Sequence, residues 1–420
     1  MAGSSRSSTV PPTPSPSLDD ARRLLEETWG YSHFRQHQRK AIVAVLGKRD
    51  TLAVLPTGGG KSLCFQIPAL LLPGTTIVVS PLISLMQDQV AALRRRSVPA
   101  AYISSTQKRA VQQSVWRSLV AGWVKLLYVA PERLGQLRAR VPRLAVPLLA
   151  VDEAHCISEW GHEFRPHYRA IGRYRQALRN PPTIAVTATA TPETRADIAR
   201  VLGLKRPVEV IGPFDRPNLY FAARRFGKER DRVDALVDLI RGQSGSAITY
   251  VPTRNRADGL AEVLRRRGLP AAPYHAALPG RARRVLLTRF LDGRVRVMVA
   301  TNAFGMGIDK PDVRIVAHLG VPARPEAYYQ EAGRAGRDGL YSRCETLWMG
   351  SDLAIARTMA ESNPTDGGSA GADYQEASKR GLEAMRRFVT TRSCRRWVLL
   401  EYMGEKNVQC SGCDGCRPSG

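Results

Sequence analysis

LAVLPTGGGKSLCFQIP, residues 52–68, is the most informative stretch of the chain. An apolar run, a glycine-rich segment and a second apolar run follow one another, which predicts a buried strand, a tight turn and a helix. The backbone N–H groups of Gly58, Gly59 and Gly60 can approach phosphate oxygens closely, because glycine has no Cβ atom. The stretch therefore predicts a phosphate-binding loop at the end of a strand.

The two residues after the glycines carry the groups that a nucleotide triphosphate needs. Lys61 supplies a positive charge for the β- and γ-phosphates, and Ser62 supplies a hydroxyl ligand for Mg²⁺. The helix N-terminus that follows also favours an anion. The strict G-x-x-x-x-G-K-[ST] pattern has Leu55 in place of its first glycine. An incidental glycine-rich turn with an unrelated lysine is the alternative, and the strand–turn–helix context disfavours it.

A second motif, LLAVDEAHCISEW at residues 148–160, places two carboxylates after another apolar run. The carboxyl ends of parallel strands are where open α/β sheets bind ligands. Asp152 is predicted to hold Mg²⁺ largely through its waters. Glu153 is predicted to orient or deprotonate the water that attacks the γ-phosphate. A helix cap is the alternative for an isolated Asp-Glu pair, but the preceding phosphate loop favours a nucleotide hydrolase.

Short apolar runs alternate with longer amphipathic segments, which predicts a parallel, doubly wound α/β architecture. The predicted strands lie at 51–55, 76–80, 125–130, 147–151, 183–187, 247–251, 271–275, 296–300 and 314–319. The predicted helices lie at 82–95, 191–202, 254–267 and 279–291. A linker at 211–219 separates two successive α/β lobes, and a polar loop is predicted at 361–373.

These patterns divide the chain into four parts. Residues 1–18 are a Ser/Pro-rich tail predicted to be disordered. Residues 19–212 form the first, ATP-binding lobe, and 213–355 form the second lobe. Residues 356–420 form a small helical subdomain that carries the late cysteines.

Composition restricts the partners. The chain has 420 residues, with 63 Lys and Arg against 37 Asp and Glu, a formal net charge of +26. Such an excess predicts a polyanion such as nucleic acid, although a genome that favours arginine codons would produce the same bias. No apolar run reaches the ~18 residues of a membrane span, and the first residues lack the apolar region of a signal peptide. Cysteine usage predicts a reducing cytoplasm.

The stretch VQCSGCDGCRPSG begins at residue 408 and contains three closely spaced cysteines. Cys394 supplies a fourth, and the four predict a closed tetrahedral Zn²⁺ site of structural type, from Cys394, Cys410, Cys413 and Cys416. Reduced free thiols and an iron–sulfur cluster are the alternatives. The other cysteines occur in apolar segments and are predicted to be core residues: Cys64, Cys156 and Cys344.

With these motifs in order, the chain resembles the RecQ family of superfamily 2 DNA helicases over about residues 20–420. The stretches that carry the resemblance are GYSHFRQHQ (30–38), LPTGGGKS (55–62), VVSPLISLMQDQV (78–90), VAPERL (129–134), VDEAH (151–155), VTATAT (186–191), YHAAL (274–278), VATNAFGMGIDKPDVR (299–314) and YYQEAGRAGRDG (328–339). The late cysteines and the RRWVLLEYMGE helix resemble the family's zinc-binding subdomain. The resemblance implies two RecA-like lobes followed by that subdomain.

The resemblance also implies roles for particular residues at the ATP site. Arg35 and Gln38 correspond to contacts on the adenine side, and Thr57 belongs to the phosphate loop. A further set from the second lobe would face ATP bound to the first: Gln330, Arg334 and Arg337. Arg337 is the implied arginine finger, which stabilises transition-state charge.

A segment directly after the second motif, SEWGHEFRPHY at residues 158–168, resembles the family's aromatic-rich DNA loop. Trp160 and Phe164 offer ring faces on which bases stack, and Arg165 can contact a phosphate. His162 is the candidate coupling group. An ordinary packed loop is the alternative. The segment departs from the family pattern at Glu159, Glu163 and His167.

The resemblance implies an ATP-dependent 3′→5′ DNA helicase of DNA repair and recombination that uses ATP, Mg²⁺ and Zn²⁺. Its expected partners are single-stranded DNA, forked or tailed duplexes and a single-strand-binding protein, with no membrane. Only four residues follow Cys416, so a winged-helix or HRDC domain is not expected in this chain. The alternatives are therefore a DNA-stimulated translocase or annealing protein with weak unwinding, and a non-enzymatic DNA-binding protein with a relic ATP site.

Overall fold

The computed structural model describes residues 16–140, 144–158, 165–305, 310–361, 369–406 and 409–416. The predicted tail lies outside these ranges except for its last three residues. Trp160, His162 and Phe164 of the predicted DNA loop also lie outside them.

The first lobe is built around a parallel sheet. Among the described residues, its strands are β1 Thr51–Val54, β2 Thr76–Val79, β3 Ala100–Ile103, β4 Leu126–Val129, β5 Leu149–Val151, β6 Thr183–Thr187 and β7 Val208–Ile211. Their spatial order is β3-β4-β2-β5-β6-β1-β7. The carboxyl ends of β1 and β5 therefore lie on one edge, separated only by β6.

Helices cover both faces of this sheet: α1 Leu18–Trp29, α2 Gln36–Leu46, α3 Leu63–Leu71, α4 Ile83–Arg95, α5 Arg109–Val120, α6 Leu134–Arg140, α7 Pro166–Arg169, α8 Ile171–Ala177 and α9 Pro192–Leu202. Successive side chains of a strand point to opposite faces. In β1, Leu52 and Val54 join one buried cluster while Ala53 joins the other. An apolar strand without polar alternation thus follows from burial on both faces.

The second lobe repeats this plan. Its strands within the described residues are β8 Leu219–Arg225, β9 Ser246–Tyr250, β10 Ala271–Tyr274, β11 Val297–Ala300, β12 Val313–Leu319 and β13 Ser342–Trp348. They are parallel, in the order β10-β11-β9-β12-β13-β8. Its helices are α10 Glu229–Arg241, α11 Arg254–Arg266, α12 Gly280–Leu291 and α13 Pro325–Ala332.

The predicted strands and helices are present within one or two residues of their expected bounds, but β3, β7, β8 and β13 were not predicted. The reason is clearest in β13, where Glu345 is fully buried in a sequence that appears polar. Its carboxylate lies 2.9 Å from Arg224 and 2.7 Å from Arg343, so the buried charge is paired. A pairing of this kind conceals an interior strand from hydropathy patterns.

The C-terminal part is helical, with α14 Gly350–Glu361, α15 Ser369–Thr390 and α16 Arg395–Tyr402. The polar loop predicted at 361–373 is wrong at its end, because α15 already begins at Ser369. Helix α14 runs across the boundary expected between residues 355 and 356. Its first turn is held by the second lobe, because the buried Asp352 carboxylate accepts a hydrogen bond from Arg232.

Helix α16 joins the cores of the two lobes. Leu400 on α16 and Met403 just after it belong to the buried cluster of the first lobe. Val398 and Leu399 belong to the cluster of the second lobe. Of the predicted linker 211–219, Ile211 ends β7 and Leu219 begins β8, so the connection between the two strands is 212–218. Arg396 of α16 donates to the Arg216 carbonyl in this connection at 3.0 Å.

Within the described part of the chain, none of the helices has the length and apolar composition needed to cross a bilayer.

A buried ion pair fixes the edge of the first sheet opposite the ligand edge. The Asp50 carboxylate accepts two hydrogen bonds from Arg175, at 2.7 and 2.8 Å. It also accepts from the backbone N–H groups of Thr183, at 3.0 Å, and Lys205, at 2.8 Å. One carboxylate thus ties together the approaches to β1, β6 and β7.

Asp50→Ala is expected to lower the free energy of unfolding of the first lobe by about 3–5 kcal/mol, because the buried Arg175 guanidinium loses its counter-charge. Urea unfolding followed by circular dichroism measures this. The matched control is Asp19→Ala, which removes an exposed pair with Arg22 at 3.9 Å and should leave the midpoint nearly unchanged. Equal midpoints for the two variants would contradict the role given to Asp50.

Candidate functional site

The phosphate loop follows β1 directly, at the carboxyl edge of the first sheet. Gly58 and Gly60 adopt left-handed φ angles of 78° and 69°, which glycine tolerates without strain. A Cβ atom at Gly59 would lie 2.7 Å from the carbonyl oxygen of Pro56. All three glycines are therefore required by the backbone geometry, which favours a phosphate loop over an incidental turn.

Arg35 and Gln38 hold this loop from outside. The Arg35 guanidinium donates to the Gly58 carbonyl at 2.8 Å, and the Gln38 amide donates to the Gly59 and Gly60 carbonyls at 3.2 Å. Their predicted place beside adenine stays a prediction. The hydrogen bonds that they make to the glycine carbonyls brace the phosphate loop.

Lys61 is half-buried beside two acidic side chains. Burial lowers the pKa of Lys61, whereas the Glu153 and Asp152 carboxylates favour its charged form. Burial and the nearby charge of Glu153 raise the pKa of Asp152 to about 7, and Lys61 opposes the shift. The three groups predicted from two separate motifs are thus brought together, at the shared edge of β1 and β5.

Glu153 connects this pocket to the end of β6. Its backbone has a φ of 46°, in the left-handed region that L-residues rarely adopt. Its Oε2 atom lies 3.4 Å from Nδ1 of His155, which in turn lies 2.9 Å from the Thr187 hydroxyl. Sequence reasoning missed the roles of His155 and Thr187, although both lie in motifs that it had quoted.

The second lobe approaches the phosphate loop through α13 and the turns after it. Gln330 lies in α13, and Arg334 and Arg337 lie in the turns beyond it. A Cβ atom at Gly333 would lie only 3.7 Å from Cβ of Thr57 in the loop. The Arg337 charge is close enough to lower the pKa of Lys61. The structure therefore brings Arg337 near Lys61, while the roles of Gln330 and Arg334 at this site stay predictions.

Of the four residues proposed to bind DNA or couple it to the ATP site, Arg165 is the one that lies within the described residues. Its guanidinium donates to the carbonyl of Pro81 at 3.0 Å, within the stretch 78–90 that resembles a DNA-side motif. Tyr168, three residues on, donates its hydroxyl to the carbonyl of Asp152 at 3.1 Å. The described end of the segment, 165–168, is thus anchored both to a neighbouring loop and to the acidic motif.

The four late cysteines converge in space. Their sulfur atoms all lie within 4.8 Å of one another, and those of Cys410 and Cys413 lie 3.6 Å apart. Sulfurs about 2.3 Å from a tetrahedral Zn²⁺ would be roughly 3.8 Å apart, so the cluster fits the metal. Cys394 caps α16, where its sulfur accepts a hydrogen bond from the N–H of Trp397 at 3.3 Å.

The surroundings of Cys413 favour a thiolate. Burial opposes the charge, but hydrogen bonds from the backbone of Arg395 and Arg396 and from the neighbouring thiols bring the pKa of Cys413 below its usual value. Burial and the same thiol pairing raise the pKa of Cys410 to about 11. The other three cysteines are buried in the cores, as predicted: Cys64, Cys156 and Cys344.

Three known families match successive parts of the chain. Residues 35–198 match the DEAD/DEAH box helicases, residues 231–339 match the helicase conserved C-terminal domain, and residues 350–417 match the RecQ zinc-binding domain. With the two parallel-sheet lobes and the site between them, these matches define a two-lobed helicase fold with a zinc-binding subdomain.

Comparison with two related proteins identifies the family within the two-lobed helicases. The ATP-dependent DNA helicase RecQ of Bacillus subtilis (strain 168) is 43% identical over 408 residues, covering 95% of this chain and 67% of the relative. That of Haemophilus influenzae is 41% identical over 399 residues, covering 94% and 63%. The chain belongs to the RecQ family of ATP-dependent DNA helicases. It spans about two thirds of the length of these two relatives.

Solved structures confirm the two-lobed fold. The helicase Lhr of Mycobacterium smegmatis, bound to single-stranded DNA and AMP-PNP, superposes with a TM-score of 0.61 at 21% identity, covering 87% of this chain and 57% of that one. Saccharomyces cerevisiae Dbp5, bound to RNA and ADP BeF3, superposes with a TM-score of 0.63 at 17% identity, covering 87% and 99%. At these identities the likeness concerns the fold alone.

Purified protein is expected to contain about one zinc per chain, and Cys413→Ser is expected to lose nearly all of it and to melt at a lower temperature. Three remaining thiolates cannot close the tetrahedral site, whose binding energy contributes to folding. Zinc release with a thiol reagent, read with a chelating dye, measures the content.

The matched control is Cys344→Ala, in the core of the second lobe, which should retain the metal. Folded, active wild-type protein with far less than one zinc per chain would exclude a structural zinc.

Proposed function

We propose that this chain is an ATP-driven motor that moves 3′ to 5′ along single-stranded DNA and separates the strands of tailed or forked duplexes. The observation that carries the proposal is the approach of the arginine turn to the phosphate loop, where a Cβ atom at Gly333 would lie 3.7 Å from Cβ of Thr57. The charge of Arg337, just after this turn, opposes the charged form of Lys61, which the Asp152 and Glu153 carboxylates of the first lobe favour. A triphosphate bound at Lys61 would therefore be surrounded by groups from both lobes.

Each group at this site suits one task in phosphoryl transfer. The glycine loop offers backbone N–H groups to the phosphates, and Lys61 binds the β- and γ-oxygens. Ser62 and Asp152 would hold Mg²⁺, which neutralises charge on those oxygens when it is bound. Glu153 orients the attacking water and accepts its proton. Arg337 stabilises charge on the γ-phosphoryl group, with Gln330 and Arg334 beside it.

The contact chain from Glu153 gives a route for coupling. His155 touches both Glu153 and Thr187, so a shift of the water-orienting carboxylate reaches the end of β6 directly. We assign DNA binding to the segment that follows, through Trp160, Phe164 and Arg165, with His162 as the coupling group. Base stacking of this kind is worth about 1–3 kcal/mol per base and tolerates any sequence.

The proposal extends to partners and location. The net charge of +26 favours an electrostatic, salt-dependent grip on the DNA backbone. A motor on exposed single strands would meet a single-strand-binding protein, which we propose as a partner. Four reduced thiols held as metal ligands favour the cytoplasm over an oxidising compartment.

Lys61→Ala is expected to reduce DNA-stimulated ATP hydrolysis by at least about a hundredfold, because it removes the positive charge that binds the β- and γ-phosphates. Phosphate release with and without oligo(dT) measures this. Lys205→Ala, an exposed lysine of the same lobe, is the matched control and should behave as wild type. If Lys61→Ala hydrolyses ATP at the wild-type rate, the assignment of the ATP site is wrong.

Strand displacement is expected on 3′-tailed and forked duplexes and not on 5′-tailed or blunt ones, because the motor must load on a single strand and move in one direction. A labelled-strand assay with ATP and Mg²⁺ across this panel tests it. Hydrolysis stimulated by DNA with no displaced strand would favour a translocase instead. Displacement from 5′ tails alone would reverse the proposed direction.

A further inference from the structure

Arg216, in the linker between the lobes, clamps the turn that carries the arginine residues of the second lobe. Its Nη1 atom donates to the carbonyl of Gly333 at 3.2 Å. Its Nη2 atom donates to the carbonyls of Ala335 at 3.0 Å and Gly336 at 2.7 Å. One planar guanidinium thus holds three carbonyls of a single turn.

This turn determines where the catalytic arginines lie. Arg334 is within it and Arg337 follows it directly. A Cβ atom at Gly333, where the turn begins, would lie 3.7 Å from Cβ of Thr57 in the phosphate loop. The N–H groups of the turn bond back to α13 and to β12, whereas three of its carbonyls accept from the linker. Asn218 of the same linker also donates to the Gly336 carbonyl, at 2.8 Å.

The zinc-binding subdomain in turn holds the linker on both sides of the Arg216 side chain. Arg396, at the start of α16, is fully buried. Its guanidinium donates to the backbone carbonyl of Arg216 at 3.0 Å, to the carbonyl of Leu219 and to the Asp215 carboxylate. The same guanidinium reaches the carbonyl of Gly412, between two of the cysteine ligands, at 3.4 Å.

A second connection between the zinc-binding subdomain and the linker is made at Phe214. The Glu405 carboxylate, just after α16, accepts from the backbone N–H of Phe214. The Phe214 carbonyl accepts from the hydroxyl of Tyr329 in α13. The linker is therefore held between the zinc-binding subdomain on one side and the helix that precedes the arginine turn on the other.

We propose that Arg216 is a positioning residue for ATP hydrolysis, which transmits the fixed geometry of the zinc-binding subdomain to Arg337. The inference rests on the proposed function, because it takes Arg337 as the arginine finger. Stabilisation of a transition state requires the charge within about 1 Å of its productive position. Three hydrogen bonds from one rigid fork supply that constraint on the backbone of the turn.

A simple brace and a positioning residue differ in what they change. Loss of a brace lowers stability and leaves the turnover number of the remaining folded protein intact. Loss of a positioning residue lowers kcat and kcat/KM together, because the missing interaction is made in the transition state. The KM for ATP should change little, since Lys61 and the glycine loop remain in place.

The test measures ATP hydrolysis by the full chain with saturating oligo(dT) and Mg²⁺. Arg216→Ala is expected to lower kcat at least about tenfold, with KM for ATP within about twofold and zinc content unchanged. Arg216→Lys, which can still donate to one or two of the carbonyls, should recover part of kcat. If Arg216→Ala does not fold, the kcat of Arg216→Lys is compared with that of the wild type instead.

Arg296 provides a matched control in the same lobe. Its guanidinium likewise donates to three backbone carbonyls, that of Ile240 at the end of α10 and those of Gln243 and Gly245 in the loop after it, away from the ATP site. Arg296→Ala is expected to lower the melting temperature and to keep kcat within about twofold. Equal losses of kcat in the Arg296 and Arg216 variants would show a general effect of destabilisation and would overturn the proposal.

The Arg337→Ala variant separates the two levels of inference. If it keeps the wild-type kcat, the finger assignment fails and the positioning role fails with it. If Arg337→Ala loses activity and Arg216→Ala does not, only the positioning role is overturned. If both lose activity, Arg216→Ala should cost little further in an Arg337→Ala background, because its effect acts through that side chain. A fully additive loss in the double variant would also overturn the proposal.

Discussion

The close approach of the second lobe to the phosphate loop, at Gly333 and Thr57, is the constraint around which this molecule is organised. Neither lobe holds all the groups proposed to act on ATP: Lys61 and the two carboxylates belong to the first, and the arginines belong to the second. Charge stabilisation depends steeply on distance, so a divided set of this kind works only when the lobes are in register. The rate of ATP hydrolysis should therefore depend on how the two lobes are positioned.

Helix α16 and the linker are the elements that maintain this register. The apolar side chains of α16 enter both cores, and its polar ends hold the linker through Arg396 and Glu405. A segment with so little core of its own would not hold this position by hydrophobic burial alone. Four converging cysteines supply the missing stability, since a closed metal shell ties the start of α16 to the loop that follows it.

Much of the architecture could be predicted because parallel strands buried on both faces leave continuous apolar runs. The strands at β1, β5 and β6 and the motifs at their ends followed from that pattern. β13 did not, because Glu345 is buried there beside two arginines that lie on different strands. The polar stretch at 361–373 also misled, since α15 begins inside it and is stabilised by packing that a local pattern does not contain. Tertiary pairing overrides local composition in both cases.

Local sequence was sufficient for the chemistry of each motif: glycines without Cβ atoms, a lysine, two acidic residues and four cysteines with metal-ligand spacing. Their residue types specify what they can bind, wherever they lie in space. The contacts among them came from the folded chain. That Gln38 and Arg35 brace the phosphate loop, that His155 joins Glu153 to Thr187, and that Arg216 holds the arginine turn depend on residues far apart in sequence. Such contacts leave no periodic signal. The bonds from Arg35, Gln38 and Arg216 also go to backbone carbonyls, which place no demand on the identity of the residue that accepts them.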